Sequence, residues 1–273
     1  MTDGSTGGTQ ALRDFDASIP HSARIWNYWL GGKDNFQADR DAGDAFLEIY
    51  PEQRDKARAC RFYLARAIRY LVLEAGVRQF LDVGTGLPTA DNTHEVAQRV
   101  APESRIVYVD NDPLVLAHAR ILLTSSPEGV TNYIDADLHD PEAILAEAGR
   151  TLHLDQPVAL LLIGVLGHVA DYDQALAIVA TLLDALPSGS YLVTADGTNV
   201  IDGEAFEAAI GVWNANAPLS YHLRHPDQLA RFLDGLEVLP PGQVPCARWR
   251  PASDASPAEL RETDEYAAVA RKP

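Results

Sequence analysis

Two cysteines, Cys60 and Cys246, and one methionine are all the sulfur in 273 residues. Thiols so far apart and in unlike contexts give neither a CxxC pair nor a disulfide framework, so a reducing, cytoplasmic setting is expected. Basic residues are scarce as well: 22 Lys and Arg stand against 39 Asp and Glu, for a formal charge of −17. A surface of that sign repels phosphate backbones and anionic lipid headgroups, which argues against nucleic acid and membrane partners. The densest positive run, Arg54, Lys56, Arg58, Arg61, Arg66 and Arg69, is interleaved with a helical apolar stripe and reads as a solvated helix face. No apolar run approaches the ~20 residues that cross a bilayer. Residues 1–18, rich in Gly, Thr, Asp and Ser, lack the basic start and apolar core of a signal peptide and are expected to form a flexible tail.

What is present is ordinary globular composition, 47% hydrophobic and 22% charged, enough for one large α/β domain with an appended N-terminal segment. Over 53–75, Ala57, Cys60, Leu64, Ile68, Leu71 and Ala75 recur at three-to-four spacing, which predicts a long amphipathic helix. Residues 36–49 also read as helix, with Asp34 or Asn35 placed to cap its amides and Pro51 suited to the start of the next helix. After Gly76 short apolar runs appear over 80–83, 106–109, 131–134, 158–163 and 191–194. Helical stretches over 89–100, 113–123, 141–148, 172–186 and 203–216 alternate with them. That alternation predicts a doubly wound, mostly parallel α/β sheet. The end of the chain departs from it, with a short helix over 225–234, a strand over 236–239, and further strands over 247–249 and 265–270 that could form an antiparallel edge. The loop over 250–258 is expected to be exposed.

The strongest local signal is the strand Phe80-Leu81-Asp82-Val83 running into Gly84-Thr85-Gly86, a turn where missing side chains let a ligand approach the backbone. The next strand ends in Asp110, placed to accept hydrogen bonds from both hydroxyls of a ribose, and the third is followed by Asp135 and Asp137. The plainer reading is that Asp82, Asp110 and Asp137 cap helices. A dinucleotide fingerprint would have a third glycine where Thr89 stands, and its pyrophosphate would avoid Asp82 and an Asp91 in the first helical turn. A cationic ligand without phosphate suits these charges, and S-adenosylmethionine carries both a sulfonium and an ammonium.

The stretch Pro20-His21-Ser22-Ala23-Arg24-Ile25-Trp26-Asn27-Tyr28-Trp29-Leu30-Gly31-Gly32-Lys33-Asp34-Asn35-Phe36 resembles the N-terminal hallmark of an actinobacterial S-adenosyl methyltransferase family long catalogued as a domain of unknown function. The resemblance runs from Ile19 to Pro273. It implies a Rossmann-like core over 77–273 with a seven-stranded sheet and a reversed last strand, and a helical segment over 19–76 covering the cofactor. It also implies roles: Asp82, Gly84 and Gly86 around the methionine end, with Thr85 between the glycines, Asp110 on the ribose beside Asn111, and Asp137 with Leu138 near the adenine. Pro88 stands where many class I enzymes have a third glycine.

Methyl transfer asks the protein mainly to position an acceptor and remove its proton. Beyond the fourth strand, in Gly164-Val165-Leu166-Gly167-His168, His168 reads either as a base or as a packed histidine ahead of the next helix. No Asp/Asn-Pro-Pro-aromatic motif follows that strand, which argues against amide or base nitrogen as acceptor. Trp26, Tyr28 and Trp29 offer aromatic faces either to a ligand or to the sheet; Tyr28 is expected on the cofactor side, possessing a hydroxyl as well, and Lys33 is placed to hold a carboxylate. His222 and His225 lack further ligands at metal spacing, so no metal is expected. The expected function is methyl transfer to a small molecule. The alternatives are a cofactor-binding protein without turnover and a nicotinamide-dependent oxidoreductase. Oligomeric state is not legible.

Overall fold

The computed structural model describes residues 16–89, 91–115, 124–217, 219–257 and 259–273. Most of the tail expected over 1–18, and most of the helix expected over 113–123, lie outside the described residues.

The five expected strands are β1 (Gln79–Val83), β2 (Arg105–Asp110), β3 (Val130–Asp135), β4 (Ala159–Ile163) and β5 (Tyr191–Gly197). Each pairs in parallel with its spatial neighbour. Three more follow among the described residues: β6 (Glu237–Val238), β7 (Val244–Pro245) and β8 (Glu265–Arg271). The sheet order is β3-β2-β1-β4-β5-β8-β6, with β7 pairing β8 off that path. Seven strands on the path with a reversed β8 match the expectation, and β7 is an addition. β8 is no edge: it runs antiparallel to β5 on one side and to β6 and β7 on the other. The strand expected over 247–249 is instead a single 3₁₀ turn, Cys246–Arg248. Arg66 donates to the carbonyls of Cys246 and Trp249, and the Trp249 ring lies edge-on to Tyr63 at 5.5 Å, so this stretch is fixed by burial rather than by a ladder.

The α-helices among the described residues are α1 (Ser22–Trp29), α2 (Gln37–Ile49), α3 (Gln53–Leu73), α4 (Thr93–Val100), α5 (Pro141–Ala148), α6 (Tyr172–Asp184), α7 (Gly203–Asn216) and α8 (Pro226–Ala230). The strands alternate at period two, and both faces are covered. Leu81, Val83, Val107, Val109, Leu160 and Leu162 face a core shared with α5 and α6, while Phe80, Ile106, Tyr108 and Leu161 face one shared with α3 and α4. A third cluster joins α1, α2 and α7 through Trp29, Phe46, Phe206 and Trp213. β1 lies between β2 and β4, so successive crossovers leave in opposite directions there, which opens a crevice beyond the strand ends.

Two capping expectations change. Neither Asp34 nor Asn35 caps α2; the N-cap is Phe36, whose N–H donates to Asp39 Oδ2 at 2.8 Å. The Asp34 N–H and the Asn35 amide donate to Asn27 Oδ1 instead. Asp91 is not in a helical turn either: α4 begins at Thr93, with Asn92 and Glu95 forming the capping box.

Candidate active site

The chain leaves β1 through two glycines with positive φ, Gly84 at 73° and Gly86 at 67°. Each is needed for a different reason. A Cβ on Gly84 would lie 2.5 Å from Val165 Cγ2, so the loop after β4 closes down on it. A Cβ on Gly86 would meet nothing within 4 Å, because it would project into an open cavity of about 180 Å³. The Gly84 and Thr85 N–H groups both donate to the Val109 carbonyl, which holds the turn against β2.

Asp82, Gly84, Thr85, Gly86, Asp110, Asn111, Asp137 and Leu138 all line this cavity. The acids differ in state. Asp82 is 5% exposed, and burial pushes its carboxyl up to about 6 although the Thr93 hydroxyl donates to it at 2.6 Å. Asp110 is also raised by burial, against hydrogen bonds from the Asp112 and Gly86 N–H groups at 3.0 and 2.8 Å. Its oxygens each keep acceptor capacity for a further donor. Burial lifts Asp137 too, but the backbone and ring of His139 outweigh it and hold the carboxyl below its usual range.

The opposite wall comes from the N-terminal helices. Ser22, Ala23, Trp26, Asn27 and Leu30 line the cavity at one-and-three spacing, one face of α1, and α3 adds Cys60, Arg61 and Leu64. A buried charge cluster latches α1 in place. Arg24 Nε lies 3.5 Å from Asp39 and 3.7 Å from Asp112, and His21 Nδ1 lies 3.0 Å from Asp112, two residues beyond Asp110. The Gly31-Gly32 bend then allows Asn27 to serve as a hub: a Cβ on Gly32 would lie 2.3 Å from the Asn27 amide.

His168 and Trp26 line both this cavity and a smaller neighbouring compartment. Its Nδ1 is 2.8 Å from the Ser220 carbonyl, which can only accept, so Nδ1 carries the proton and Nε2 keeps its lone pair. Burial depresses its pKa to about 4. The ring is also packed edge-on to Tyr221 at 5.1 Å, which satisfies the structural reading of this residue without removing it from the cavity wall.

The profile of S-adenosyl methyltransferases matches residues 8–273. The chain belongs to that family. A DUF574 family protein from Streptomyces avermitilis is 45% identical over 94% of this chain and 99% of its own, at a TM-score of 0.89. A candidate methyltransferase from Thermobifida fusca is 38% identical over 95% of this chain and 96% of its own, at a TM-score of 0.84. An O-methyltransferase family 2 protein from Planctomyces limnophilus, 15% identical at a TM-score of 0.50 over 91% of this chain and 65% of its own, shares the fold. No curated protein matches the sequence. The protein is an S-adenosylmethionine-dependent methyltransferase, which removes the nicotinamide alternative.

The residues present fit that cofactor: a turn left empty at Gly86, carboxylates rather than lysines around it, and an α4 N-terminus already filled by the Glu95 carboxylate, which donates no room to a pyrophosphate. Two expected contacts are absent from the cavity lining. Tyr28 faces away, because the side of α1 that meets the cavity is the one carrying Trp26 and Asn27; its hydroxyl donates to Asp44 Oδ1 at 2.6 Å and Arg54 lies over its ring. Lys33 is exposed beyond the Gly31-Gly32 bend. Trp29 belongs to the aromatic core, so of the three hallmark aromatics only Trp26 lines the cavity.

Other changes concern α3. Lys56, expected in solvent, is 2% exposed and pairs with Glu265 at 2.8 Å. The signal was available, since Lys56 lies four residues before Cys60 on the apolar stripe. The two cysteines, distant in sequence, meet in the fold as buried free thiols joined by a hydrogen bond. His222 bonds Ser220 and His225 caps α8. No described helix is long and apolar enough to cross a membrane.

Proposed function

We propose that the protein methylates a small-molecule acceptor, with the cofactor lying across the Gly84–Gly86 turn and residues 19–76 as its cover. The observation that carries this placement is the open space over Gly86, in a cavity that Asp82, Asp110 and Asp137 also line. When bound, the cofactor supplies a methyl carbon already activated by its sulfonium. Asp110 accepts from the ribose hydroxyls, Asn111 sits beside it, and Asp137 with Leu138 borders the adenine. Asp82 balances the ammonium of the methionine portion, and the backbone of Gly84, Thr85 and Gly86 follows its chain. Trp26 and Leu30 exclude water from the reacting end. His168 offers Nε2 to an acceptor proton. The adjoining free thiols Cys60 and Cys246 support a reducing, cytoplasmic setting.

Isothermal titration with S-adenosylhomocysteine tests the placement. Saturable binding that is lost in Gly86→Val, a folded variant by circular dichroism, is the expected result. Binding indifferent to Gly86→Val would refute it.

A further inference from the structure

None of the acids or glycines placed around the cofactor lines the smaller compartment that shares Trp26 and His168 with the cavity. Counted as the cofactor cavity's 180 Å³ was, it encloses about 30 Å³, so a ring seated there also fills its open mouth, with which the atom-free space comes to about 320 Å³. We propose that it seats the methyl acceptor, and that the acceptor is an uncharged flat ring bearing a hydroxyl to be methylated and a second hydrogen-bond donor held by Gln53. The inference rests on the cofactor placement above and deepens it.

Shape comes first. Trp26, Trp29, Phe206 and Trp213 line the compartment, so most of its surface is aromatic face and edge, which favours a flat guest over an extended polar chain. Ile210, half-buried on α7, stands among them.

Charge comes next. The cation in this wall is Lys56, whose ammonium sits 4.3 Å over the Phe206 ring and is bound to Glu265 at 2.8 Å. A cationic acceptor would meet that ammonium, and an anionic one would have to displace a buried carboxylate from it. In the same wall, Tyr221 donates its hydroxyl to Asp196, and the nearby Arg224 offsets that carboxylate. A neutral guest is the one that leaves both pairs intact.

One polar group remains. Gln53 is 2% exposed, lines the compartment, and its Oε1 has no hydrogen-bond partner. A buried amide oxygen without a donor costs about 1–3 kcal/mol, so a guest that supplies one is favoured over a guest of equal shape that does not.

The reacting hydroxyl then lies toward Trp26 and His168, beside Gly164, whose added Cβ would come 4.0 Å from the Trp26 ring. Its oxygen bonds the methyl carbon as the sulfur–carbon bond breaks, with that electron pair staying on sulfur. The hydroxyl proton passes to Nε2 of His168 and on to water. A weak base suffices, because the hydroxyl becomes strongly acidic as the new bond forms.

The experiment uses the full chain saturated with S-adenosylhomocysteine, whose own affinity is measured by calorimetry in every variant. Resorcinol, 1,3-dimethoxybenzene, benzoate and benzylamine are titrated by ligand-observed NMR. Resorcinol is expected to bind most tightly of the four. Ile210→Trp should abolish its binding, and Gln53→Leu should weaken it at least about fivefold while leaving 1,3-dimethoxybenzene unchanged. Because Gln53→Leu removes an unpartnered buried group, its fold is retained even if Ile210→Trp proves unstable. The proposal is overturned if a charged probe binds more tightly, if resorcinol shows no saturable binding to a protein that binds S-adenosylhomocysteine, or if neither variant weakens it. Failure of S-adenosylhomocysteine itself to bind overturns the cofactor placement, and this inference with it.

Discussion

The Gly86 N–H donates to Asp110 Oδ2 at 2.8 Å, so the carboxylate that ends β2 also holds the loop that leaves β1. One residue therefore shapes the turn and, on the proposed placement, accepts from the ribose. Asp110→Ala should weaken S-adenosylhomocysteine binding by about 1–3 kcal/mol, roughly five- to 150-fold in Kd by calorimetry. An unchanged Kd would remove Asp110 from the ribose.

The two glycines of the turn should separate fold from binding. Alanine at either position takes a left-handed backbone, at about 1–2 kcal/mol. Gly84→Ala also drives a Cβ to 2.5 Å from Val165 Cγ2, whereas Gly86→Ala places one in open space. Thermal melts should show Gly84→Ala as the less stable protein. Calorimetry should show Gly86→Ala losing cofactor affinity by more than its small stability change accounts for.

Asp82 makes the apo protein pH-sensitive in a defined direction. Its carboxyl rises to about 6 by burial, against ~3.9 for an unperturbed Asp. Below pH ~4 it is protonated in both states, and the contribution to stability is fully present. As pH climbs through 6 the unfolded chain has released its proton and the folded one must follow, at a cost on the order of 3 kcal/mol. Asp82→Asn escapes that cost. Urea unfolding of the two proteins should agree near pH ~4 and diverge toward pH ~7, with the variant more stable yet weaker in S-adenosylhomocysteine binding. Divergence in the other direction would contradict the burial argument.

The α1 latch predicts a large effect far from any reacting atom. Arg24 is 3% exposed and lies between Asp39 and Asp112, both buried. Arg24→Met leaves two carboxylates without that cation, and breaking a buried pair this way costs about 3–5 kcal/mol. Denaturant midpoints should fall accordingly, and S-adenosylhomocysteine affinity should fall with them because Ala23 and Trp26 share the same helix.

The parallel sheet was legible because both its faces are buried, so β2 and β4 appear as short unbroken apolar runs, and β1 as one broken only by Asp82, between amphipathic helices. The glycine turn was legible because φ, close approach and the strand-end acids are all encoded locally. What the hallmark segment does was harder to read. Whether Trp26 or Tyr28 meets the cavity depends on the rotation of α1, which is set by Arg24 reaching Asp112, far along the chain. Likewise Lys56 looked like one of a row of surface cations until Glu265, on the last strand, came to lie beside it. The stretch around Trp249 misled for the same reason, since its turn is held by Arg66 on α3.

Cys60 stands in the wall of the cavity in which the cofactor, an alkylating agent, is proposed to lie. A thiolate there would compete with the intended substrate for the methyl group. The hydrogen bond with Cys246, together with burial and the nearby Glu265, pushes its pKa well above the ordinary thiol value. The sulfur is thereby kept in its unreactive S–H form, and the catalyst is protected from modifying itself.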